Sequence, residues 1–316
     1  MDKHPLEKAV QISNCLELAI LLEVSVHKPG NVSVVTNFEK TRYEHFVASA
    51  VAARSSLEFA AEQGIAIHER KITSSDVGVG HIIKDCVADI DSWQHGGNTL
   101  LGSVILLVPI AVAAGMIPIG DDFETLRLRK NVRLVVESTT PEDAVNIYEA
   151  IEIAKPSGLG KAPKLDINDP ASTKKILEER VSLFQVFQIA EKYDTICSEW
   201  VNNYPITFDL AYPFLTKQME EEEDLNHAIL HTFLKVLATC PDTFIARKAG
   251  LLKAKEVSAE AGEILNLGGL VTSKGRQRLE EFDAKLRRSS NLLNPGTTAD
   301  IMAAALALCT LAGYRP

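Results

Sequence analysis

The stretch Leu100-Leu101-Gly102-Ser103-Val104-Ile105-Leu106-Leu107-Val108-Pro109-Ile110-Ala111-Val112-Ala113-Ala114-Gly115-Met116-Ile117-Pro118-Ile119 carries no charge and is the most apolar segment of the chain. A bilayer-spanning helix needs ~20 such residues, so the segment is either a membrane span or the buried centre of a helical protein. Pro109, Gly115 and Pro118 interrupt it, and polar glycine turns flank it. Proline removes a backbone donor, a loss that neighbouring helices can make good and lipid cannot. The segment therefore reads as a central helix enclosed by others, with no membrane partner.

On its N-terminal side, Val10, Ile12, Leu16, Ala19, Ile20 and Leu22 recur at helical spacing over residues 5–26, up to the break at Lys28-Pro29-Gly30. Arg42 to Gly64 reads as an alanine-rich helix that Gly64 ends, and Ser74 and Ser75 as the cap of a third helix running to about Asp91. Beyond the central segment, helical patterns cover Asn131 to Val136 after Asp121-Asp122, Pro141 to Ala154, Thr173 to Asn202 and Asp209 to Met219. They resume over Leu225 to Thr239, Thr243 to Asn266, Ser273 to Arg288 and Thr297 to Gly313. The count is about eleven or twelve helices, with no convincing strand and no fixed-period repeat. The expectation is an all-α fold, one large multi-helix bundle over residues 1–316 with its active site at a rim. Lys155 to Pro170, broken by Pro156, Gly158, Gly160 and Pro163, reads as an exposed loop of a length often used as a lid or binding segment.

Hydrophobic residues make up 46% of the chain and aromatics only 6%, so aliphatic side chains must fill the core and helices must pack closely. The formal net charge of −9 argues against nucleic acid as a partner, so any bound anion has to be held locally. The acidic run Glu220-Glu221-Glu222-Glu223-Asp224 reads as a solvated helix start. Five cysteines, Cys15, Cys86, Cys197, Cys240 and Cys309, are scattered singly, and no leader pattern opens the chain, which suits a reducing cytoplasm. Ala-rich helix faces leave a homodimer open.

Chemistry is expected where glycine cassettes punctuate the helices: His27-Lys28-Pro29-Gly30-Asn31, His95-Gly96-Gly97-Asn98-Thr99 and Asn294-Pro295-Gly296-Thr297-Thr298-Ala299-Asp300. Glycine allows close backbone approach, and the polar residues that follow sit where a helix start exposes N–H groups, so each cassette is a possible anion cradle. Taken singly, each is equally a helix stop and cap. Phosphate-binding loops of the G-x-x-x-x-G-K-[ST] and G-x-G-x-x-G types, the G-x-S-x-G elbow and H-E-x-x-H are absent.

In the first cassette Lys28 is a candidate point charge for a phosphate, with Gly30 and Asn31 beside it, while Glu23 is a candidate base or metal ligand, or simply the partner of Lys28 or Arg54. In the second, Gly97, Asn98 and Thr99 open the central helix and Ser103 lies one turn further on the same face, extending a phosphate site. Asp242 starts a helix whose next turn carries Arg247 and Lys248, so it is either a cap or a Mg²⁺ ligand, and Arg247 has the fork geometry that phosphate recognition uses. In the last cassette Gly296, Thr297 and Thr298 form a helix start, and Asp300 in its first turn is the sharpest metal candidate.

Taken in order, Glu23 with Lys28-Pro29-Gly30-Asn31-Val32, Phe46 with Ser49-Ala50, Asn98-Thr99 with Gly102, Asp242-Thr243 with Arg247 and Gly250, and Asn294-Pro295-Gly296 with Ala299-Asp300 resemble the triphosphoribosyl-dephospho-CoA synthase family across most of the chain. The resemblance implies an all-helical enzyme that joins ATP to 3′-dephospho-CoA, a ribose hydroxyl of one displacing adenine from the other. It implies a triphosphate clamp at Lys28, Arg247 and the helix starts at Asn98 and Thr297, Mg²⁺ at Asp242 and Asp300, and Glu23 as base, with Asp242 as a second catalytic carboxylate. Bacterial members place a His-Lys pair directly after the Asn-Thr, where this chain has Leu100-Leu101, which leaves the acceptor open. Two other readings use the same residues: a Mg²⁺-dependent ribosyl hydrolase similar to the ADP-ribosylglycohydrolases, and a helical nucleotide-binding protein without catalysis. The shared-site reading expects Glu23, Lys28, Asn98, Asp242, Arg247 and Asp300 in one cleft, and expects Asp242→Ala and Asp300→Ala to abolish turnover with the fold intact.

Overall fold

The computed structural model describes residues 5–118, 123–160, 162–221, 224–288 and 291–316. In chain order the helices are α1 (Pro5–Ser25), α2 (Tyr43–His68), α3 (Val79–Trp93), α4 (Leu101–Gly115), α5 (Thr125–Glu137), α6 (Pro141–Ala154), α7 (Ala171–Glu178) and α8 (Leu183–Ala190). They continue with α9 (Thr195–Val201), α10 (Tyr212–Glu221), α11 (Leu225–Thr239), α12 (Thr243–Ala249), α13 (Leu251–Asn266), α14 (Ser273–Arg288) and α15 (Gly296–Leu311). A 3₁₀ turn at Ser74–Asp76 precedes α3, and a π-helical turn at Ile206–Ala211 leads into α10. No β-strand occurs among the described residues, so the all-α expectation holds.

The apolar segment is the hub. In α4 every residue except Gly102 is buried, and the helix packs against α1, α2, α3, α5, α9 and α15. Each large aliphatic side chain enclosed this way contributes roughly 1.5–3 kcal/mol, which is why α4 needs no polar face. Pro109 costs the helix one bond, because it offers no N–H to the carbonyl of Ile105. The fully buried Trp200 of α9 fills that vacancy, its indole Nε1 donating to the Ile105 oxygen at 3.0 Å. The Tyr204 hydroxyl donates to the neighbouring Leu106 oxygen at 3.2 Å. Among the described residues no single helix is long and apolar enough to cross a membrane.

Three features differ from the sequence expectation. Gly64 does not end α2, which continues to His68; it is a crossing point, where a Cβ would lie 1.9 Å from the Val112 oxygen of α4. Gly115 answers from the other side, its Cβ position 2.2 Å from the Ala61 oxygen, so the two backbones touch where neither has a side chain. There are also fifteen helices among the described residues where about eleven or twelve were expected. The Thr173–Asn202 pattern is α7, α8 and α9, with Arg180 at φ +53° and N-caps at Ser182 and Asp194; the Thr243–Asn266 pattern breaks at Gly250, φ +91°. Ser74 and Ser75 form the short turn, whose cap is Thr73 with Asp76, and α3 starts only after Gly78.

Other elements fall as expected. α5 spans the 131–136 pattern, while Asp121-Asp122 lie outside the described residues. The acidic run is an exception in part: Glu220 and Glu221 end α10, Glu222 and Glu223 lie outside the described residues, and only Asp224 sits at a helix start, capping α11 by accepting from Asn226 N at 2.8 Å. Residues 155–160 and 162–170 form loop, the latter folded about Asp166, whose carboxylate accepts from Ala162 N and Asn168 N at 2.8 Å each. Trp200→Phe keeps an aromatic ring, a smaller one, but strands the Ile105 carbonyl. It should cost about 1–3 kcal/mol, read as a lower urea midpoint with an unchanged slope.

Candidate active site

A cavity of about 450 Å³ opens where the end of α1 meets the starts of α4 and α15. Its other walls are loop residues within 156–160 and 162–167, the α8–α9 corner and α12. Ten of the residues expected at the site line it: Glu23, Asn31, Asn98, Thr99, Ser103, Arg247, Lys248, Gly296, Thr297 and Asp300. Tyr148, Leu159, Leu165, Phe187 and Tyr193 add apolar and aromatic surface.

The start of α4 is built by side chains that hold the turn before it. Gln94 braces that turn, donating from Nε2 to Gly97 O at 2.8 Å and accepting from Gly96 N at 2.5 Å, while the Thr41 hydroxyl donates to Gly96 O at 2.6 Å. Gly97, at φ +77°, permits the turn and does not line the cavity, so its expected role in holding phosphate gives way to a backbone one. Asn98 Oδ1 accepts from Leu101 N at 3.1 Å, and the Thr99 and Ser49 hydroxyls lie 2.7 Å apart.

The anion seated at the α4 start is a carboxylate of the chain itself. Asp300 reaches across from α15, its Oδ1 accepting from the Ser103 hydroxyl at 2.6 Å with support from the Ser103 backbone. Its other oxygen presses on Gly102, where a Cβ would lie 2.1 Å from Oδ2, so only glycine admits the carboxylate there. Burial raises the Asp300 pKa to about 7, against the pull of the Ser103 hydroxyl and with added repulsion from Glu23 and Asp242.

Asp242 has a different task from the one the sequence suggested. Its Oδ1 accepts from Phe244 N and Ile245 N at 2.9 and 3.0 Å, capping α12, and its Oδ2 accepts from Thr298 N and the Thr298 hydroxyl at 2.8 Å each, capping α15. With four donors on two oxygens, only 2% exposure and no place in the cavity wall, Asp242 is a joint between two helix starts, and neither base nor metal ligand fits it. Thr298 is spent on the same joint, outside the cavity wall, while the Thr297 hydroxyl stays at the cavity and accepts from Phe244 N at 3.2 Å.

Lys28 also corrects an expectation. Its side chain is fully buried and turned away from the cavity, with Nζ donating to the Glu23 and Val26 carbonyls and lying 3.2 Å from Glu23 Oε1. It cannot meet a phosphate from there. Burial pushes the Glu23 carboxyl up and the Lys28 ammonium down, and each opposes the other's shift. Gly30 likewise serves the backbone: at φ +71° it donates to Asp283 Oδ1 of α14 at 2.8 Å, and a Cβ would strike Leu286 at 3.0 Å. Asn31 remains at the cavity, its Oδ1 accepting from Asn294 Nδ2 at 3.2 Å.

The cationic wall comes from α12. Arg247 pairs with Asp194 and its guanidinium lies 5.6 Å from the Phe244 ring centre, with a buried Nε that meets no partner. Lys248 Nζ sits 4.0 Å over the same ring and donates to Asn291 O; burial lowers its pKa to about 8. Sequence reasoning missed Asp194 and Phe244; Asn294 was named only as part of its cassette, and the segment after Lys155, expected as a loop of the kind used as a lid or binding segment, does line the cavity. Phe244 adjoins a motif already singled out, and Asp194-Thr195 is a helix-start signal hidden inside a continuous helical pattern.

Among the described residues no cluster of three or more His, Cys, Asp or Glu side chains can hold a metal ion. A Mg²⁺ ion carried by a triphosphate needs only one or two protein carboxylates. Asp300 fits that lesser role; Asp242 does not.

Two outcomes follow from this geometry. Asp242→Ala should lower stability by about 2 kcal/mol or more, read by urea unfolding, in contrast to the intact fold expected from sequence. For Asp300 the folded pKa of about 7 stands above its ordinary 3.8, so the folded state holds a proton that the unfolded chain has released. Stability should therefore fall as pH rises from about 4 to about 7. Asp300→Asn should flatten that fall in denaturation curves taken at stepped pH.

A sequence profile of the ATP:dephospho-CoA triphosphoribosyl transferase family matches residues 9–315. The 2-(5''-triphosphoribosyl)-3'-dephosphocoenzyme-A synthase of Klebsiella pneumoniae is 37% identical over 93 residues, 29% of this chain and 30% of that protein. Its namesake in Escherichia fergusonii is 31% identical over 94 residues, 30% of each chain. The matched stretches thus span under a third of these relatives' length. A crystal structure from Archaeoglobus fulgidus, provisionally assigned as a triphosphoribosyl-dephospho-coA synthase, superposes with a TM-score of 0.61 at 20% identity, covering 85% of this chain and 100% of that one, so the fold is shared. With the profile running over nearly its whole length, the chain belongs to the ATP:dephospho-CoA triphosphoribosyl transferase family.

Proposed function

We propose that the protein is a transferase that joins the triphosphoribosyl part of ATP to a hydroxyl of a nucleotide-like acceptor such as 3′-dephospho-CoA, releasing adenine. The observation that carries this reading is the convergence of Glu23, Asn98, Thr99, Arg247, Lys248, Thr297 and Asp300, from four separate stretches of chain, on one cavity. Carboxylates and cationic side chains in one enclosed space suit a reaction that holds a triphosphate while charge develops at a ribose carbon.

In this reaction the acceptor hydroxyl oxygen bonds to C1′ of the ATP ribose as the bond from C1′ to the adenine nitrogen breaks. Adenine leaves with the bonding electrons and takes up a proton. Glu23 accepts the proton of the attacking hydroxyl, a task for a carboxylate facing the cavity from the last turn of α1. Arg247 and Lys248, with the hydroxyls of Thr99 and Thr297, hold the phosphates. Asp300 is the residue that would hold a Mg²⁺ ion, and the ion would spread the triphosphate charge. Leu100 and Leu101, also in the cavity wall, give the acceptor apolar surface at the α4 start.

The test is chromatographic: adenine release from Mg²⁺-ATP in the presence of dephospho-CoA, with the product mass measured. Adenine and a triphosphoribosyl conjugate should appear in equal amounts, and Asp300→Asn should lower turnover by about 100-fold or more while the helical circular dichroism is kept. Absence of both ATP binding and turnover with any acceptor would sink the proposal, and free ribose triphosphate as product would replace transfer by hydrolysis.

A further inference from the structure

Lys28 has four methylenes and a charge inside the protein, and none of its surface is exposed. A buried ammonium costs several kcal/mol unless its donors and charge are matched. The match here is complete. α1 ends at Ser25, so its last carbonyls lack helical partners, and the turn through Pro29 and Gly30 folds Lys28 back beneath them. Nζ donates to the Glu23 and Val26 carbonyls and directs its remaining capacity at Glu23 Oε1, 3.2 Å away. The ammonium thus makes two hydrogen bonds and one ion pair, all within the protein.

The carboxylate in front of it is in the opposite condition. Glu23 lines the cavity, 7% exposed, and its Oε1 is buried without accepting a hydrogen bond, so the charge of Lys28 is what holds that oxygen. Among the described groups facing Glu23, Lys28 supplies positive charge from the loop after α1, and Asp300 supplies negative charge from α15, with Asp242 acting on Asp300 from behind. Without Lys28 the two cavity carboxylates would confront each other with no buried cation at their side.

We propose that Lys28 is a positioning residue of the transfer reaction, fixing the Glu23 carboxylate in the cavity wall from behind and taking no part in holding phosphate. This rests on Glu23 being the base. It assigns the lysine of the first cassette to the base rather than to the triphosphate, and separates it from Arg247 and Lys248, which do reach the cavity.

A double-mutant cycle tests it, with kcat and the KM for ATP measured for the wild type, Glu23→Gln, Lys28→Met and the double variant. Glu23→Gln should lower kcat by about 100-fold or more, and Lys28→Met should do likewise with the KM for ATP within about threefold of wild type. Added to Glu23→Gln, Lys28→Met should change kcat no further, because the group it acts through is gone. Losses that multiply, or a KM for ATP raised about tenfold by Lys28→Met, overturn the proposal. If Lys28→Met does not fold, the double variant, which buries no lone charge, is compared with Glu23→Gln alone: equal kcat supports the proposal and a further drop of about tenfold rejects it. Full turnover in Glu23→Gln rejects the base assignment and the proposal together, whereas full turnover in Lys28→Met with loss in Glu23→Gln rejects the proposal alone.

Discussion

The carboxylate of Asp242 holds two helix starts in one place. One oxygen accepts two free N–H groups at the start of α12 and the other accepts the N–H and hydroxyl of Thr298 at the start of α15, so the two helices share a single cap. Two residues beyond Thr298 the same helix delivers Asp300 to the start of α4, and one turn along α12 come Phe244, Arg247 and Lys248. The relation between the acidic and basic walls of the cavity is therefore set by a residue that is not in the cavity.

Helix starts attract anions, and this protein answers most of that demand from within. Asp300 sits at α4 and Asp242 at α12 and α15, which gathers negative charge at the protein's own expense, and Glu23 adds a third carboxylate close enough to repel Asp300. Burial raises all three carboxyl pKa values. Two of them face the cavity, while the third is fully hydrogen-bonded between two helix starts. Lys28 is the buried counterweight on the α1 side, and Arg247 and Lys248 are the cations left to face a ligand.

Behind the site, rigidity comes from α4. Its proline would leave a carbonyl unpaired in a dry core, and Trp200 and Tyr204 turn that defect into an attachment for the π-helical segment and α9. Gly64 and Gly115 bring α2 into backbone contact with the same helix, so α4 is fixed both by hydrogen bonds and by close approach.

Helical periodicity and the chemistry of helix ends are local, so the all-helical class, the buried reading of α4 and the gathering of polar groups at helix ends were legible from residues alone. Where periodicity ran on, as over residues 173–202, it hid breaks that need only one left-handed residue or one cap. Gly64 was misread for a related reason: a glycine that ends a helix and one that lets another helix touch it look alike until the second helix is in place. Side-chain direction was the part only the tertiary structure decided. A lysine after a helix can point to ligand or to core, and Lys28 points inward because the Glu23 and Val26 carbonyls and the Glu23 carboxylate together match an ammonium there. An aspartate at a helix start can bind metal or cap, and Asp242 caps because a second helix start, 56 residues on in sequence, meets its other oxygen. The sequence determined which groups were present at the helix ends; the packing of α1, α4, α12 and α15 decided which of them faced the cavity, because a hydrogen bond is satisfied by whatever partner lies within about 3 Å, however distant in the chain.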